Sequence, residues 1–195
     1  MLPSTPRNIE KRMEILAASR ILLRQKNPED IRMEDIAQIA GRTRKTLYSH
    51  FRSRDDVLVQ LSTRSLDQLW RRQMIAMRTA NPGLEQIRAW GEACASFARY
   101  KPRYLRLQVY LDARGIDREK ISPNAYNKYD TQNQRVATAL RDAFHLGLQD
   151  GSLRPDLDVE NNLAAYAYGL RGILSSSPGQ LYRQFLDTFL RGLAR

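Results

Sequence analysis

Residues 33–51 read MEDIAQIAGRTRKTLYSHF, and this stretch decides the fold of the chain. Ile36 and Ile39 stand three residues apart, which is the spacing of one helical face. Gly41 follows them, and glycine commonly ends a helix because it adopts a positive φ without strain. Thr43 then offers a hydroxyl that can cap a second short helix. Two short helices joined by a glycine turn predict a helix-turn-helix.

The second helix of this stretch is predicted to have a basic outer surface. Leu47 and Phe51, four residues apart, are expected to face inward. From Gly41 to Arg54 the chain has five basic residues and no acidic one. A surface that serves only solubility normally mixes charges of both signs. The segment therefore predicts contact with a polyanion such as DNA.

The spacing Gly-x-Thr-x-x-Thr-Leu-Tyr-x-His-Phe, from Gly41 to Phe51, resembles the signature of the TetR family of transcriptional regulators. Ile36-Ala37 lies upstream, where that family has its counterpart. The resemblance implies a homodimer that binds a palindromic operator in double-stranded DNA, with one recognition helix in each major groove. It also implies that a small-molecule effector of unknown identity controls release of the operator.

The resemblance assigns DNA contacts to the turn, the recognition helix and the start of helix four. Tyr48 and His50 are expected to position phosphates. Thr43, Arg44 and Lys45 are expected at base edges or nearby phosphates. The full set of candidate DNA-binding residues is Arg32, Arg42, Thr43, Arg44, Lys45, Thr46, Tyr48, His50 and Arg54.

Several positions depart from the family pattern. Arg32 stands at the head of helix two, where threonine is preferred, and arginine caps a helix poorly. Either another group offsets this loss or the Arg32 side chain reaches a DNA phosphate, and both interpretations stay open. Arg42 occupies a position that is usually small and apolar, and Lys45 one that is usually glycine. Asn27 also replaces a glycine, and we expect it in the same left-handed conformation.

The chain has 195 residues and a net charge of +11, from 32 basic and 21 acidic side chains. This balance suits nucleic acid, although charge alone would equally suit an anionic membrane. No apolar run approaches the ~18 residues that span a bilayer, and the charged N-terminus lacks a secretory signal. Cys94 is the single cysteine, which excludes an intramolecular disulfide. A cytoplasmic location is therefore expected.

Read in order, the chain predicts an all-α fold of about nine helices and no convincing strand. Ser53 and Asp56 have the spacing of a capping box that opens helix four. Arg54 between them is expected to hold the DNA backbone. Ser177-Pro178 is predicted to start helix nine.

Helices four to seven are rich in aromatic and sulfur-containing side chains. At helical spacing such groups are more often plain core, and this interpretation stays the default for any one of them. The collection nevertheless suits a pocket that recognises a small molecule by shape and a few hydrogen bonds. His145, between two apolar neighbours, is predicted in the interior. The candidate lining residues are Trp70, Met74, Trp90, Cys94, Phe97, Tyr104, Tyr110, Tyr126, Tyr129 and His145.

The last two helices are candidates for a dimer interface. Helix nine carries an apolar stripe over three turns, and helix eight carries small residues that permit close helix approach. Such a stripe is buried within its own subunit by default. The family resemblance implies instead a four-helix interface with the same helices of a second subunit. The residues assigned to it are Leu163, Ala167, Leu170, Tyr182, Phe185, Leu186, Phe189, Leu190 and Leu193.

Catalysis finds little support in the sequence. The two histidines are not set at metal-ligand spacing, and neither a glycine-rich phosphate loop nor a nucleophile elbow occurs. We therefore expect no catalytic residue, metal or cofactor.

These observations favour a transcriptional repressor that is released by a small-molecule effector. A DNA-binding domain is expected over residues 1–52, followed by an effector-binding and dimerisation domain over residues 53–195. The first alternative is a DNA-binding regulator that is controlled by a protein partner or has no effector. The alternative from another class is a helical enzyme or carrier for an acidic substrate.

Overall fold

The computed structural model describes residues 5–176 and 179–195, and this part of the chain is built from nine α-helices without a β-strand. The all-α prediction is therefore confirmed. The predicted start of helix nine at Ser177-Pro178 lies outside the described residues. The helices are α1 Pro6–Gln25, α2 Met33–Ala40, α3 Arg44–His50, α4 Arg54–Arg78, α5 Leu84–Tyr100, α6 Pro102–Arg114, α7 Pro123–Gln149, α8 Val159–Ser176 and α9 Leu181–Leu193.

The chain forms two compact units, and the division between them falls within α4, α6 and α7. Unit 1 runs to Ser65 and resumes over Arg106–Thr131. Unit 2 comprises Leu66–Leu105 and Gln132–Arg195. The expected boundary after residue 52 is a functional division, and it stays a prediction. In the described ranges, no helix is both long and apolar enough to cross a bilayer.

The apolar core of unit 1 includes the inner residues of the helix-turn-helix. Leu47 and Phe51 are buried, as predicted. Ile39, however, is 39% exposed, which corrects its expected place on the same face as Ile36. The buried arc of α2 runs from Ile36 through Ala37, on the side away from Ile39.

The turn after α1 differs from the expectation for Asn27. Its φ is −72° and its ψ is 155°, so the residue is extended and not left-handed. Pro28 follows directly and begins a short 3-10 segment. Because a proline disfavours helical backbone in the residue before it, an extended Asn27 is the outcome that its neighbour dictates.

The poor cap of α2 is offset by an acidic side chain. Asp35 Oδ2 accepts the backbone N–H of Arg32 at 3.0 Å, and Asp35 Oδ1 lies 2.9 Å from Lys26 Nζ. Lys26, followed by the Arg32 N–H, lowers the pKa of the Asp35 carboxyl. A carboxylate in the first turn also interacts favourably with the helix dipole. The Arg32 side chain is therefore not needed as a cap and stays exposed.

Close packing of α5 against α8 characterises unit 2. Tyr166 Oη donates to the backbone oxygen of Ile87 at 2.9 Å, and the Tyr166 ring lies 5.1 Å from that of Phe189. A Cβ added at Gly91 would lie 2.2 Å from Tyr166 Oη. Glycine is therefore required at this position of α5, although it costs about 1 kcal/mol of helix propensity relative to alanine.

Candidate nucleic-acid interface

The recognition helix α3 begins with the predicted cap. Thr43 Oγ1 accepts the backbone N–H of Thr46 at 3.2 Å and lies 3.0 Å from the Thr46 hydroxyl. Gly41 has a φ of 59° and a ψ of 37°, the left-handed conformation that turns the chain from α2 towards α3. The helix-turn-helix predicted from residues 33–51 is therefore present in the structure.

Two arginines of the predicted DNA-binding set are paired with carboxylates. Arg42 Nη2 lies 2.7 Å from Glu14 Oε2, and Arg44 Nη1 lies 2.9 Å from Glu34 Oε1. All four side chains are substantially solvent-exposed. Exposed pairs of this kind contribute only about 0–1 kcal/mol. A DNA phosphate or base edge can therefore take the place of either carboxylate at little cost.

The other outward residues of this region carry donors on an open surface. Lys45 is exposed, and Tyr48 keeps 48% of its side-chain surface in solvent. Thr46 is half-buried beside the cap. These placements, with the exposed Arg32, fit contacts with phosphates and base edges, and the contacts themselves stay predictions.

His50 does not lie where the sequence analysis placed it. Its side chain is buried, with 5% exposure, instead of facing outward towards DNA. It ends α3 on the turn that also buries Leu47, so it shares the inner side of the helix. Burial, followed by the charges of Arg12 and Lys11, lowers the pKa of His50. The imidazole is therefore held neutral within unit 1, and we remove it from the phosphate-positioning set.

The predicted contact of Arg54 with the DNA backbone is also corrected. Its guanidinium donates to the backbone oxygen of Glu29 at 3.1 Å, to Asp55 Oδ1 at 3.1 Å and to the Tyr110 hydroxyl. Its carbon Cζ lies 5.5 Å from the centre of the Tyr110 ring. Because these partners occupy the guanidinium inside unit 1, we assign Arg54 to packing of this unit and not to the DNA backbone.

Sequence reasoning missed Arg12 of α1. Its guanidinium donates to the backbone oxygen of His50 at 2.6 Å and to Gln60 Oε1 at 2.7 Å, and it lies 4.5 Å from the centre of the Phe51 ring. Arg12 therefore joins α1, the end of the recognition helix and α4. No local pattern reveals this role, because the partners lie 38 and 48 residues away.

The structure does not bring the ten candidate lining residues together in one unit. Tyr110, Tyr126 and Tyr129 belong to unit 1, whereas the other seven belong to unit 2. His145 is exposed, which corrects its predicted interior position: around the helix axis, the buried face of α7 ends at Phe144, and the helix turns His145 towards solvent.

Within unit 2, three of the candidates line the inner side of α5. Trp90, Cys94 and Phe97 are all buried. Gln73 Nε2 donates to Cys94 Sγ at 3.2 Å, and burial raises the pKa of the Cys94 thiol to about 12. Such a thiol is held protonated and unreactive. Trp70 is half-buried, and Arg135 lies over its ring with Cζ 3.9 Å from the centroid. Met74 and Tyr104 are half-buried.

Unpaired polar atoms are a feature of the helices that follow the helix-turn-helix. Within the described residues of unit 2, Gln73 Oε1, Trp90 Nε1 and Gln132 Oε1 are buried and lack a hydrogen-bond partner. Each such atom costs about 1–3 kcal/mol relative to one that is paired. A polar group from a bound molecule would recover that free energy.

An open groove of about 800 Å³ lies between α4 and α5 of unit 2. Small residues such as Ala76 and Ala89 line it, with Arg72, Glu92 and the exposed Ile75 also on its border. None of the ten candidate lining residues borders this groove. In the described ranges, no group of three or more His, Cys, Asp or Glu is placed to hold a metal ion.

The predicted dimer residues are mostly covered by their own chain. Seven of the nine are buried, and Phe185 and Phe189 are half-buried in a cluster with Tyr166. The apolar stripe of α9 packs on α5 and α8 of the same unit. As assigned, these residues do not form an open face, because the stripe completes the core of unit 2. The opposite faces of α8 and α9 expose Tyr168 and Leu181.

Residues 15–61 match the sequence model for bacterial regulatory proteins of the tetR family. The chain is 28% identical over 162 residues to the HTH-type transcriptional repressor KstR2 of Mycolicibacterium smegmatis, which covers 82% of this chain and 76% of that protein. The ketosteroid transcriptional regulator KstR2 of Mycobacterium tuberculosis has a TM-score of 0.71 at 21% identity, over 94% of this chain and 95% of that one. FadR from Bacillus subtilis, in complex with stearoyl-CoA, has a TM-score of 0.72 at 16% identity, over 93% of this chain and 98% of the FadR chain. These two solved structures share the fold of this chain.

The lowered pKa of His50 predicts a pH-dependent stability. Between the usual histidine pKa of 6.5 and the lowered folded value, the unfolded chain binds a proton that the folded chain does not. The free energy of unfolding should therefore fall as the pH drops below about 6.5. Denaturant unfolding at a series of pH values measures this fall. His50→Gln should reduce it, whereas His145→Gln, which changes the exposed histidine, should leave it unchanged. Equal pH dependence in the parent and His50→Gln would contradict the assignment.

Proposed function

Since the chain belongs to the TetR family of bacterial regulatory proteins, we propose that it is a transcriptional repressor that binds a palindromic operator as a homodimer and releases it when a small molecule binds. Its relatives are transcriptional regulators, and the prediction of a regulator instead of an enzyme is confirmed. The observation that carries the proposal is the exposed basic and aromatic surface of α3.

Operator binding is supported by the way this surface presents its charges. Arg42 and Arg44 rest on Glu14 and Glu34 in weak, exposed ion pairs. On DNA they exchange these carboxylates for phosphates or base edges. The cap at Thr43 fixes the start of α3, so that Arg44 and Lys45 stand in its exposed first turn. The surface therefore has both the charge and the helix geometry that a major groove requires.

DNA binding is tested by variants of the recognition helix. Tyr48→Ala should weaken binding to all sequences, whereas Arg44→Ala should weaken binding about tenfold and also relax base preference, since one base contact is worth about 1–3 kcal/mol. Because Tyr48 is uncharged, its loss should leave the log–log salt slope unchanged, whereas loss of the Arg44 cation from a phosphate should lower the slope by about 0.9. Fluorescence anisotropy on a palindromic and a scrambled duplex measures both effects. Arg71→Ala, which removes an exposed charge from α4 in unit 2, is the control. If both variants bind like the parent, α3 is not the recognition helix.

The exposed faces of α8 and α9 support dimerisation at a surface different from the one first assigned. Tyr168 is 60% exposed, and Gly172 lies four residues on, on the same helical face. A Cβ added at Gly172 would meet no atom within 4 Å, and the same holds at Gly192 of α9. Small residues on an open helical face allow another helix to approach closely. We infer that the partner subunit covers this face, beside the exposed Leu181.

The dimer is tested with two exposed tyrosines. Tyr168 and Tyr100 each lie beside an arginine, at 4.9 Å from Arg171 and 5.7 Å from Arg72. Tyr168→Asp should raise the dimer dissociation constant at least tenfold, because it replaces an aromatic contact by a carboxylate that loses its hydration in the interface. Tyr100→Asp, on α5, should leave it unchanged. Sedimentation velocity measures both constants. A parent that is monomeric at micromolar concentration, or a Tyr168→Asp protein that dimerises normally, would overturn the proposal.

The unpaired polar atoms of unit 2 support a small-molecule effector. Gln73 and Gln132 are uncharged carboxamides, and the Trp90 indole is an uncharged donor. Trp90 shares the buried side of α5 with the apolar Phe97. We propose an effector with a mostly apolar body and hydroxyl or carbonyl groups that pair with these atoms. The ketosteroid named with KstR2 and the stearoyl-CoA bound by FadR supply the first probes.

Effector control is tested by linkage. A probe that releases the operator must bind more weakly to the operator-bound protein, by the same factor that it weakens operator affinity. Calorimetric titration of a ketosteroid and of stearoyl-CoA, with and without operator, measures this factor. Gln73→Leu should abolish the response and leave operator affinity within about threefold, or less than ~1 kcal/mol. Gln86→Leu, which replaces a half-buried glutamine of α5, is the control and should release the operator in response to the probe as the parent does. Equal probe affinity with and without operator would contradict effector control.

A further inference from the structure

A hydrogen-bonded chain in unit 1 joins the start of α7 to the end of the recognition helix. Ser122 Oγ donates to Asp56 Oδ1 at 3.0 Å, and Gln60 Nε2 donates to the same oxygen at 2.8 Å. Arg12 Nη2 donates to Gln60 Oε1 at 2.7 Å, and Arg12 Nη1 donates to the backbone oxygen of His50 at 2.6 Å. We call these four side chains, Ser122, Asp56, Gln60 and Arg12, the α7–α3 network.

Burial makes this network sensitive to the loss of any member. Asp56 and Ser122 are completely buried, and Gln60 is half-buried. Hydrogen bonds are stronger in such surroundings, and a buried carboxylate that loses a donor is costly. The guanidinium of Arg12 is also held over the Phe51 ring at 4.5 Å. Burial lowers the pKa of Arg12, and the Asp56 carboxylate opposes that shift.

The last link acts on the position of the recognition helix. His50 is the final residue of α3, and the last carbonyls of a helix have no partner within the helix. Arg12 supplies a charged donor to this carbonyl, where a cation also interacts favourably with the helix dipole. Asp56 Oδ2 accepts the backbone N–H of Arg52 at 2.9 Å, so the loop after α3 is held by the same carboxylate.

Two further contacts tie this loop to the segment just before α7. Ser53 Oγ donates to the backbone oxygen of Lys120 at 2.8 Å, and Arg52 Nη1 donates to that of Ile121 at 3.4 Å. Residues 120–122 therefore contact the loop after α3 and the start of α4, and they are linked to α3 only through the network.

We propose that Ser122, Asp56, Gln60 and Arg12 are positioning residues for operator binding, which set the orientation of α3 from the start of α7 without contacting DNA. This inference rests on the proposed function, since it concerns the same operator. A displacement of Ser122 would be transmitted through Asp56 and Gln60 to the guanidinium that holds the end of α3. The network thereby gives α7, which continues to Gln149, a route to the recognition helix that passes through the first two turns of α4.

The experiment uses a double-mutant cycle in the full chain. Ser122→Ala and Gln60→Met each break the network, and Gln60→Met is the milder change because this side chain is half-buried. Each should weaken operator binding about fivefold, or ~1 kcal/mol, with an unchanged salt slope because no phosphate contact is lost. The double variant should be no weaker than the poorer single variant, because both changes interrupt one chain. Amide exchange of residues 44–52 should quicken about fivefold in all three.

Thr63→Ala is the matched control. Thr63 Oγ1 donates to the backbone oxygen of Val59 at 2.8 Å, on α4 but outside the network. The effect of Thr63→Ala on operator affinity should add to that of Ser122→Ala, and Thr63→Ala should not change the amide exchange of residues 44–52. Additive effects of Ser122→Ala and Gln60→Met, or unchanged exchange in either, would overturn the inference. Amide exchange is measured without DNA, so it tests the network even if the protein binds no palindromic operator. A failure of operator binding itself would be detected separately, with the α3 variants.

Discussion

Asp56 is completely buried at the start of α4, and its carboxylate accepts hydrogen bonds from three segments of unit 1. A buried carboxylate requires such donors, because the loss of its hydration is otherwise uncompensated. The donors are the Arg52 backbone, the Gln60 side chain and the Ser122 hydroxyl. One charge thus joins the loop after α3, the first turns of α4 and the start of α7. The position of the recognition helix depends on this arrangement.

The charges on the surface that we propose as the DNA contact are arranged differently. Its cations are exposed, and those of Arg42 and Arg44 are offset by the protein's own carboxylates in weak pairs. Weak pairs hold the side chains near the surface and still allow a polyanion to replace the carboxylates. Arg12 and Arg54 are enclosed by partners and serve the architecture of unit 1 instead. The degree of burial, and not the residue type, therefore separates the arginines that we propose as DNA contacts from those that stabilise unit 1.

Unit 2 combines close packing with incomplete polar pairing. Gly91 lets Tyr166 approach α5 so closely that no larger residue fits. Nearby on the same helix, the buried Trp90 indole N–H has no partner, and on α4 neither has Gln73 Oε1. A core selected only for stability would bury apolar groups at these positions. Tight packing and unpaired polar groups therefore occur close together in unit 2, since the Trp90 ring lies 5.8 Å from that of Tyr166.

The local features of this protein can be inferred from short segments of its sequence. Gly41 and Thr43 predict the turn and the cap of α3, because both depend on residues at most three positions apart. The extended conformation of Asn27 also follows from a local feature, because Pro28 disfavours helical backbone in the residue before it. Long-range packing, in contrast, buries His50, encloses Arg54 and covers the α9 stripe with its own chain. Periodicity shows that a helix has an apolar face, but which element covers that face depends on residues far apart in the chain.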